Sequence, residues 1–139
     1  MDRAAHQRLL AEITRQQKSS GEIAVPLELF FDGNDDRGSI GCNLGPDQPP
    51  IQEFYRTLAA LRVRPEVQEV LVRILDADDD GRWPYTDTVY VISSLSQSDV
   101  ESALKNLSFD DVTPGWMYGK PASAPEPKTG FVAYSVWWD

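Results

Sequence analysis

The stretch VLVRILDADDDGRWPYTDTVYVIS, Val70–Ser93, holds two runs rich in β-branched and aromatic residues, Val70–Leu75 and Thr88–Ile92. Such side chains fit a pleated, half-buried surface. Between the runs lie Asp76, Asp78, Asp79 and Asp80, then Gly81, Trp83, Pro84 and Asp87. Asp bonds its own backbone in turns and Gly supplies the conformations that turns need. The stretch therefore predicts a strand, an acidic loop and a second strand.

On its C-terminal side, Ser98 followed by Glu101 has the spacing of a capping box and predicts a helix to about Leu107. That helix buries Val100, Ala103, Leu104 and Leu107. Phe109–Lys120 reads as irregular, with a turn at Pro114-Gly115. KPASAPEPKTG, Lys120–Gly130, has the composition of a linker and predicts an exposed, extended loop. Phe131–Trp138 closes the chain as a strand with bulk for both faces. It is expected to lie centrally, with one of Trp137 and Trp138 in the core.

On the N-terminal side, residues 2–18 place Ala5, Leu9, Ile13 and Leu10 at three- and four-residue spacing, a helical apolar face. Ile23–Phe31 alternates and predicts a strand, confined by Pro26 to a sheet edge because proline cannot donate to a ladder. DGNDDRG, Asp32–Gly38, is an acidic turn leading to a short strand, Ser39–Asn43. Pro50 suits the first turn of a helix over Ile51–Leu61, whose buried face is Ile51, Phe54, Leu58 and Leu61. Arg64-Pro65 ends it. The predicted order is α-β-β-α-β-β-α-β, an α+β fold with a mainly antiparallel sheet and helices on one face. Without the first helix and strand, the order matches a ferredoxin-like split βαβ core.

A chain of 139 residues with 41% hydrophobic and 25% charged content reads as one globular domain spanning 1–139. The formal charge of −9 argues against nonspecific nucleic-acid binding, which needs cations to displace counterions from phosphate. It argues equally against docking on an anionic membrane, and favours a basic partner. Cys42 is the only cysteine, so no intrachain disulfide forms, and it reads as a small buried apolar residue. The polar N-terminus does not resemble a signal peptide, and a cytoplasmic protein is expected. Residues 1–20 carry four basic groups (Arg3, Arg8, Arg15, Lys18) against Asp2 and Glu12. That helix is a candidate surface for a homodimer.

Asp76, Asp78, Asp80, Gly81 and Asp87 reproduce the spacing D-x-D-x-D-G-x5-acid, which resembles a single calcium loop of the EF-hand type. The resemblance implies Asp76, Asp78, Asp80 and Asp87 as Ca²⁺ ligands. Asp87 in place of Glu, strands in place of flanking helices, and Pro84 depart from the pattern, and a solvated hairpin tip fits the same residues. DGNDDRG lacks the glycine and the distal acid. No other cofactor is indicated. His6 is the only histidine, zinc has too few soft ligands, and no phosphate-binding glycine motif occurs. Paired carboxylates suited to glycoside chemistry are expected by chance in so acidic a chain.

The composition therefore points away from an enzyme and towards an acidic protein-interaction module. Its partner-binding residues are expected to be Asp32, Asp35, Asp36, Asp76, Asp78, Asp79 and Asp80 together with Trp83 and Trp116. Aromatics beside carboxylates recognise Arg and Lys through cation–π contacts and charge-assisted hydrogen bonds. A bacterial immunity- or antitoxin-like inhibitor of a basic effector is the concrete form by analogy of class.

Overall fold

The computed structural model describes residues 1–77 and 81–139, so Asp78, Asp79 and Asp80 lie outside the described residues. Among the described residues the helices are α1 (Arg3–Gln16), α2 (Leu27–Phe31), α3 (Ile51–Arg62) and α4 (Gln97–Leu104). The strands are β1 (Ile23–Pro26), β2 (Val67–Ile74), β3 (Thr88–Ser93), β4 (Asp111–Pro114) and β5 (Val132–Trp137), and 3-10 turns cover Cys42–Asp47 and Lys105–Leu107. The strands form one sheet in the order β1-β2-β3-β5-β4, and every neighbouring pair is antiparallel. The fold is α+β.

One row of residues spans all five strands. Val25 pairs with Val72, Val72 with Val89, Val89 with Val136, and Val136 with Val112. All five are fully buried. Because side chains alternate along a strand, this row defines the face on which the helices pack. Ala5, Leu9 and Ile13 of α1, Phe30 and Phe31 of α2, Phe54 and Leu58 of α3, and Val100 and Leu104 of α4 join it in one core. The apolar faces expected of α1 and α3 are the ones buried.

The opposite face is covered by chain, not helix. Leu71 and Tyr90 point there, packed with Ala24, Ala124 and Trp116. The segment after β4 crosses this face as a strap. The Ser135 hydroxyl donates to Gly115 O and accepts from Met117 N, the Ser123 hydroxyl donates to Ala24 O, and Trp116 meets Tyr90 edge to face at 5.0 Å. Lys120–Gly130 runs along this face with Pro121 and Ala124 turned inward and buried and most of its other residues exposed. Within this small second core the Tyr90 hydroxyl is buried and has no hydrogen-bond partner among the described residues.

Both edge strands are closed by glutamine side chains. On β1, Gln16 donates to Ala24 O at 2.9 Å and accepts from Ala24 N at 3.3 Å, so its amide occupies the place of a neighbouring peptide. On β4, Gln97 donates to Val112 O at 2.7 Å. These contacts occupy backbone groups that an edge otherwise offers to another chain.

Several expectations change. Ile23–Phe31 is a strand only to Pro26, which caps the short helix α2. Ser39–Asn43 forms no strand; bends and a 3-10 turn replace it, so the expected hairpin is absent. Asp111–Pro114, read as irregular, pairs with β5, which makes β5 interior. Ser39–Asn43, the first strand of the expected ferredoxin-like core, is missing, while β3, α4 and β4 form one split βαβ unit with β5 between two strands that both run antiparallel to it. The cap of α4 is Ser96, accepting from Asp99 N, two residues before the predicted one.

Truncating the valine row removes well-packed methyl groups. Val72→Ala or Val89→Ala is expected to lower stability by roughly 2 kcal/mol in chemical denaturation, against little change for the exposed Val132→Ala. Tyr90→Phe is expected to leave stability unchanged or raise it by up to about 1 kcal/mol, since it removes an unsatisfied buried hydroxyl.

Candidate functional site

At one end of the sheet, where β2 finishes and β3 begins, two segments distant in sequence meet. The first is the turn after α2. Asn34 is buried and organises it: its amide donates to Phe30 O and the Ser39 hydroxyl, and its Oδ1 accepts from Asp36 N. Asp36 then accepts from Gly38 N at 2.8 Å, and Gln52 of α3 donates to Phe31 O and Asn34 O. Gly33 takes φ +73°, and a Cβ there would sit 2.8 Å from Asp2 Cβ, so the turn passes directly under the start of α1. The result is a fixed acidic turn with Asp32 and Asp35 exposed and Asp36 half-buried.

The second segment is the β2–β3 connection. Asp76 and Tyr85 pair across it as an isolated antiparallel bridge. Thr86 N donates to Ser39 O at 2.9 Å, which ties this connection to the first turn. Gly38 from the turn and Cys42, Asp76, Arg82 and Tyr85 line one cavity of roughly 260 Å³ between the two segments. The turn contributes Gly38 to this recess and the β2–β3 connection contributes Asp76, a meeting of two segments that separate reading of each could not supply.

Trp83, expected at a partner surface, also lines this recess. It is buried, its Nε1 donates to Phe30 O at 2.9 Å, and its ring lies 5.5 Å from that of His6. His6 is also buried, with Nε2 at 3.0 Å from Arg82 O. Together they fasten the acidic connection to α1 and α2. Trp116 is half-buried in the strap, on the other face of the sheet. Cys42 is exposed at the recess, contrary to its reading as a buried residue. Burial, then the adjacent Cys42, then the carboxylates of Asp87 and Asp139 push the Tyr85 hydroxyl up to about 12.

Asp87 faces the strap side. Its Oδ1 accepts from Arg73 at 3.3 Å and from the Thr88 hydroxyl at 2.9 Å. Arg73, itself buried, also donates to Glu22 at 2.6 Å and lies 3.5 Å above the Tyr118 ring. The carboxylate expected at the twelfth position of a calcium loop is thus engaged in an ion-pair cluster. Asp78 and Asp80 of that loop lie outside the described residues. Among the described residues no group of three or more His, Cys, Asp or Glu is placed to hold a metal ion. The Arg73 cluster was missed from sequence; a charge in the middle of a buried strand, on the side opposite Val70, Val72 and Ile74, was the available signal.

Burial also pushes the Tyr90 hydroxyl up to about 12. Both phenols have folded values above their ordinary value near 10, so the fold favours their protonated forms. The associated stability is intact below about pH 10 and is lost as pH rises through about 12. An alkaline titration followed by tyrosinate absorbance is expected to show late-titrating phenols, Tyr85 and Tyr90 among them, with unfolding by circular dichroism accompanying them. In Tyr90→Phe one late phenol disappears.

Among the described residues no helix is long and apolar enough to cross a membrane. The family model described as "Uncharacterized protein YfbO family" matches residues 4–136. The Escherichia coli (strain K12) protein described as "Uncharacterized protein YfbO" is 32% identical over 139 residues, covering 94% of this chain and 98% of its own length. No solved structure matches.

Proposed function

The chain belongs to the YfbO family, and we propose that it is a non-catalytic module whose acidic end engages a basic protein. What supports this reading is the convergence of the Asp32–Gly38 turn and the β2–β3 connection around one recess, tied by the Thr86–Ser39 hydrogen bond. Asp32, Asp35 and Asp76 stand exposed on this end of a chain that carries −9 overall. A turn held by Asn34, Asp36 and Gln52 presents its carboxylates without an ordering cost on binding, and preorganisation of this kind favours affinity.

The concrete form is an inhibitor of a cationic effector, covering the effector's own anion-binding surface in the manner of an immunity protein. Trp83 contributes through the core, by holding the β2–β3 connection in place. Tyr85, half-buried at the recess, is the aromatic available to a guanidinium there. Opposite charge steers encounter, so association is expected to be fast at low salt and to slow as salt screens it.

The test is affinity capture from the source organism's lysate, with wild-type bait and with bait carrying Asp32→Lys and Asp35→Lys. Wild type is expected to retain a basic protein at low salt and to release it at high salt, and the variant to retain none. With the captured protein purified, its association rate is expected to fall roughly tenfold or more between low and high salt. Equal retention by the variant overturns the reading.

A further inference from the structure

Away from the acidic end, α3 and α4 enclose a groove with the opposite character. Its walls are Arg56, Thr57, Ala60, Leu61 and Arg64 of α3 and the turn after it, with Ala103 of α4 across from them, around roughly 390 Å³ of space. No carboxylate lines it, in a chain of net charge −9. Arg56 and Ala60 share a face of α3 at four-residue spacing, and Arg64 lies in the turn two residues beyond the helix. The two arginines flank the apolar floor.

The charges around the groove are accounted for one by one. Arg62, between the two, turns away to an ion pair with Glu28. Glu53 accepts from Asn106, which also donates to the Thr57 hydroxyl. Arg64 meets Glu66 only through Nε, at 3.6 Å. Among the described residues Arg56 forms no ion pair. Arg56, Ala60 and Arg64 are exposed.

We propose that this groove binds an extended acidic segment of a partner protein, with two carboxylates four residues apart and an apolar side chain midway between them. In an extended chain, residues i, i+2 and i+4 point to one side, and four steps cover roughly 13 Å. That places a carboxylate against each of Arg56 and Arg64 and the apolar side chain over Ala60, Leu61 and Ala103. Arg is suited to this role because its planar guanidinium bonds a carboxylate at two points. A polyanion such as nucleic acid does not fit: it offers no apolar group to the floor, and the rest of the surface repels it. A second copy of this chain does not fit through its Asp32–Gly38 turn, which is folded back on itself through Asn34 and Asp36.

The test is an amide-shift titration of the full chain by nuclear magnetic resonance, using the capped peptide Glu-Thr-Leu-Thr-Glu and its counterpart with Lys in place of Glu. Saturable shifts are expected at residues 56–64 and at Ala103 with the acidic peptide and not with the lysine peptide. In Arg56→Glu/Arg64→Glu the affinity is expected to fall about tenfold or more, the loss of two charge-assisted contacts. If that variant does not fold, Arg56→Gln, a change at an exposed position, serves with the same expected direction. Equal affinity for both peptides, or no saturable shift at the groove, overturns the proposal. Shifts at the groove that appear when the protein alone is concentrated give the site to a second copy and also overturn it.

Discussion

Five valines in register hold this fold together. Val25, Val72, Val89, Val136 and Val112 form one fully buried line across the sheet, so each strand commits one β-branched side chain to the same plane. A slip of one residue in any pairing would turn that strand's whole apolar set to the wrong face. The helices follow from this line, because Phe30, Phe54, Leu58, Val100 and Leu104 bury their area against it. The other face follows too. With the valines taken inward, Leu71, Arg73 and Tyr90 necessarily project outward, and the strap from Trp116 to Ala124 is what removes them from water.

The same register sets the arginine-flanked groove apart from the recess beside Asp76. β2 runs from Val67, beside the turn that carries Arg64, to Ile74, beside Asp76. Its direction carries the chain from the arginine-flanked groove of α3 to the acidic recess. Trp83 and His6 connect that recess to the helical layer, since Trp83 bonds the carbonyl of Phe30 in α2 and His6 stands in α1.

Much of this was legible in the residues. Long amphipathic patterns identified α1 and α3 with their buried faces, and strong β-branched runs identified β2, β3 and β5. Short segments were less so. In IAVPLELFF the alternating set Val25, Leu27, Leu29 and Phe31 competes with the helical set Leu27, Phe30 and Phe31, and the latter wins beyond Pro26 because two phenylalanines then reach the core. Ser39–Asn43 lies between glycines, and Gly41 takes φ +63° against Phe54, a conformation no strand contains. β4 has four residues and owes its existence to β5. Trp83 looked exposed among charged neighbours, and only its carbonyl partner 53 positions away places it inside. Arg73, Glu22 and Asp87 likewise assemble across 51 and 14 positions, a distance at which local pattern carries no information.

The glutamines on the two edge strands have a further bearing on how the protein behaves in crowded solution. An edge sealed by a side chain stays sealed only while the helix carrying that side chain is docked. Fraying at the end of α1 withdraws Gln16 and leaves the Ala24 N–H open, its carbonyl still held by the Ser123 hydroxyl, without any unfolding of the sheet. The same holds at Val112 when α4 lifts Gln97 away. Self-association through β-strand addition is therefore governed by local helix docking and not by global stability. Heat, fusion partners at the N-terminus or mutations in α1 can then turn an intact fold into a template for aggregation well before its core melts.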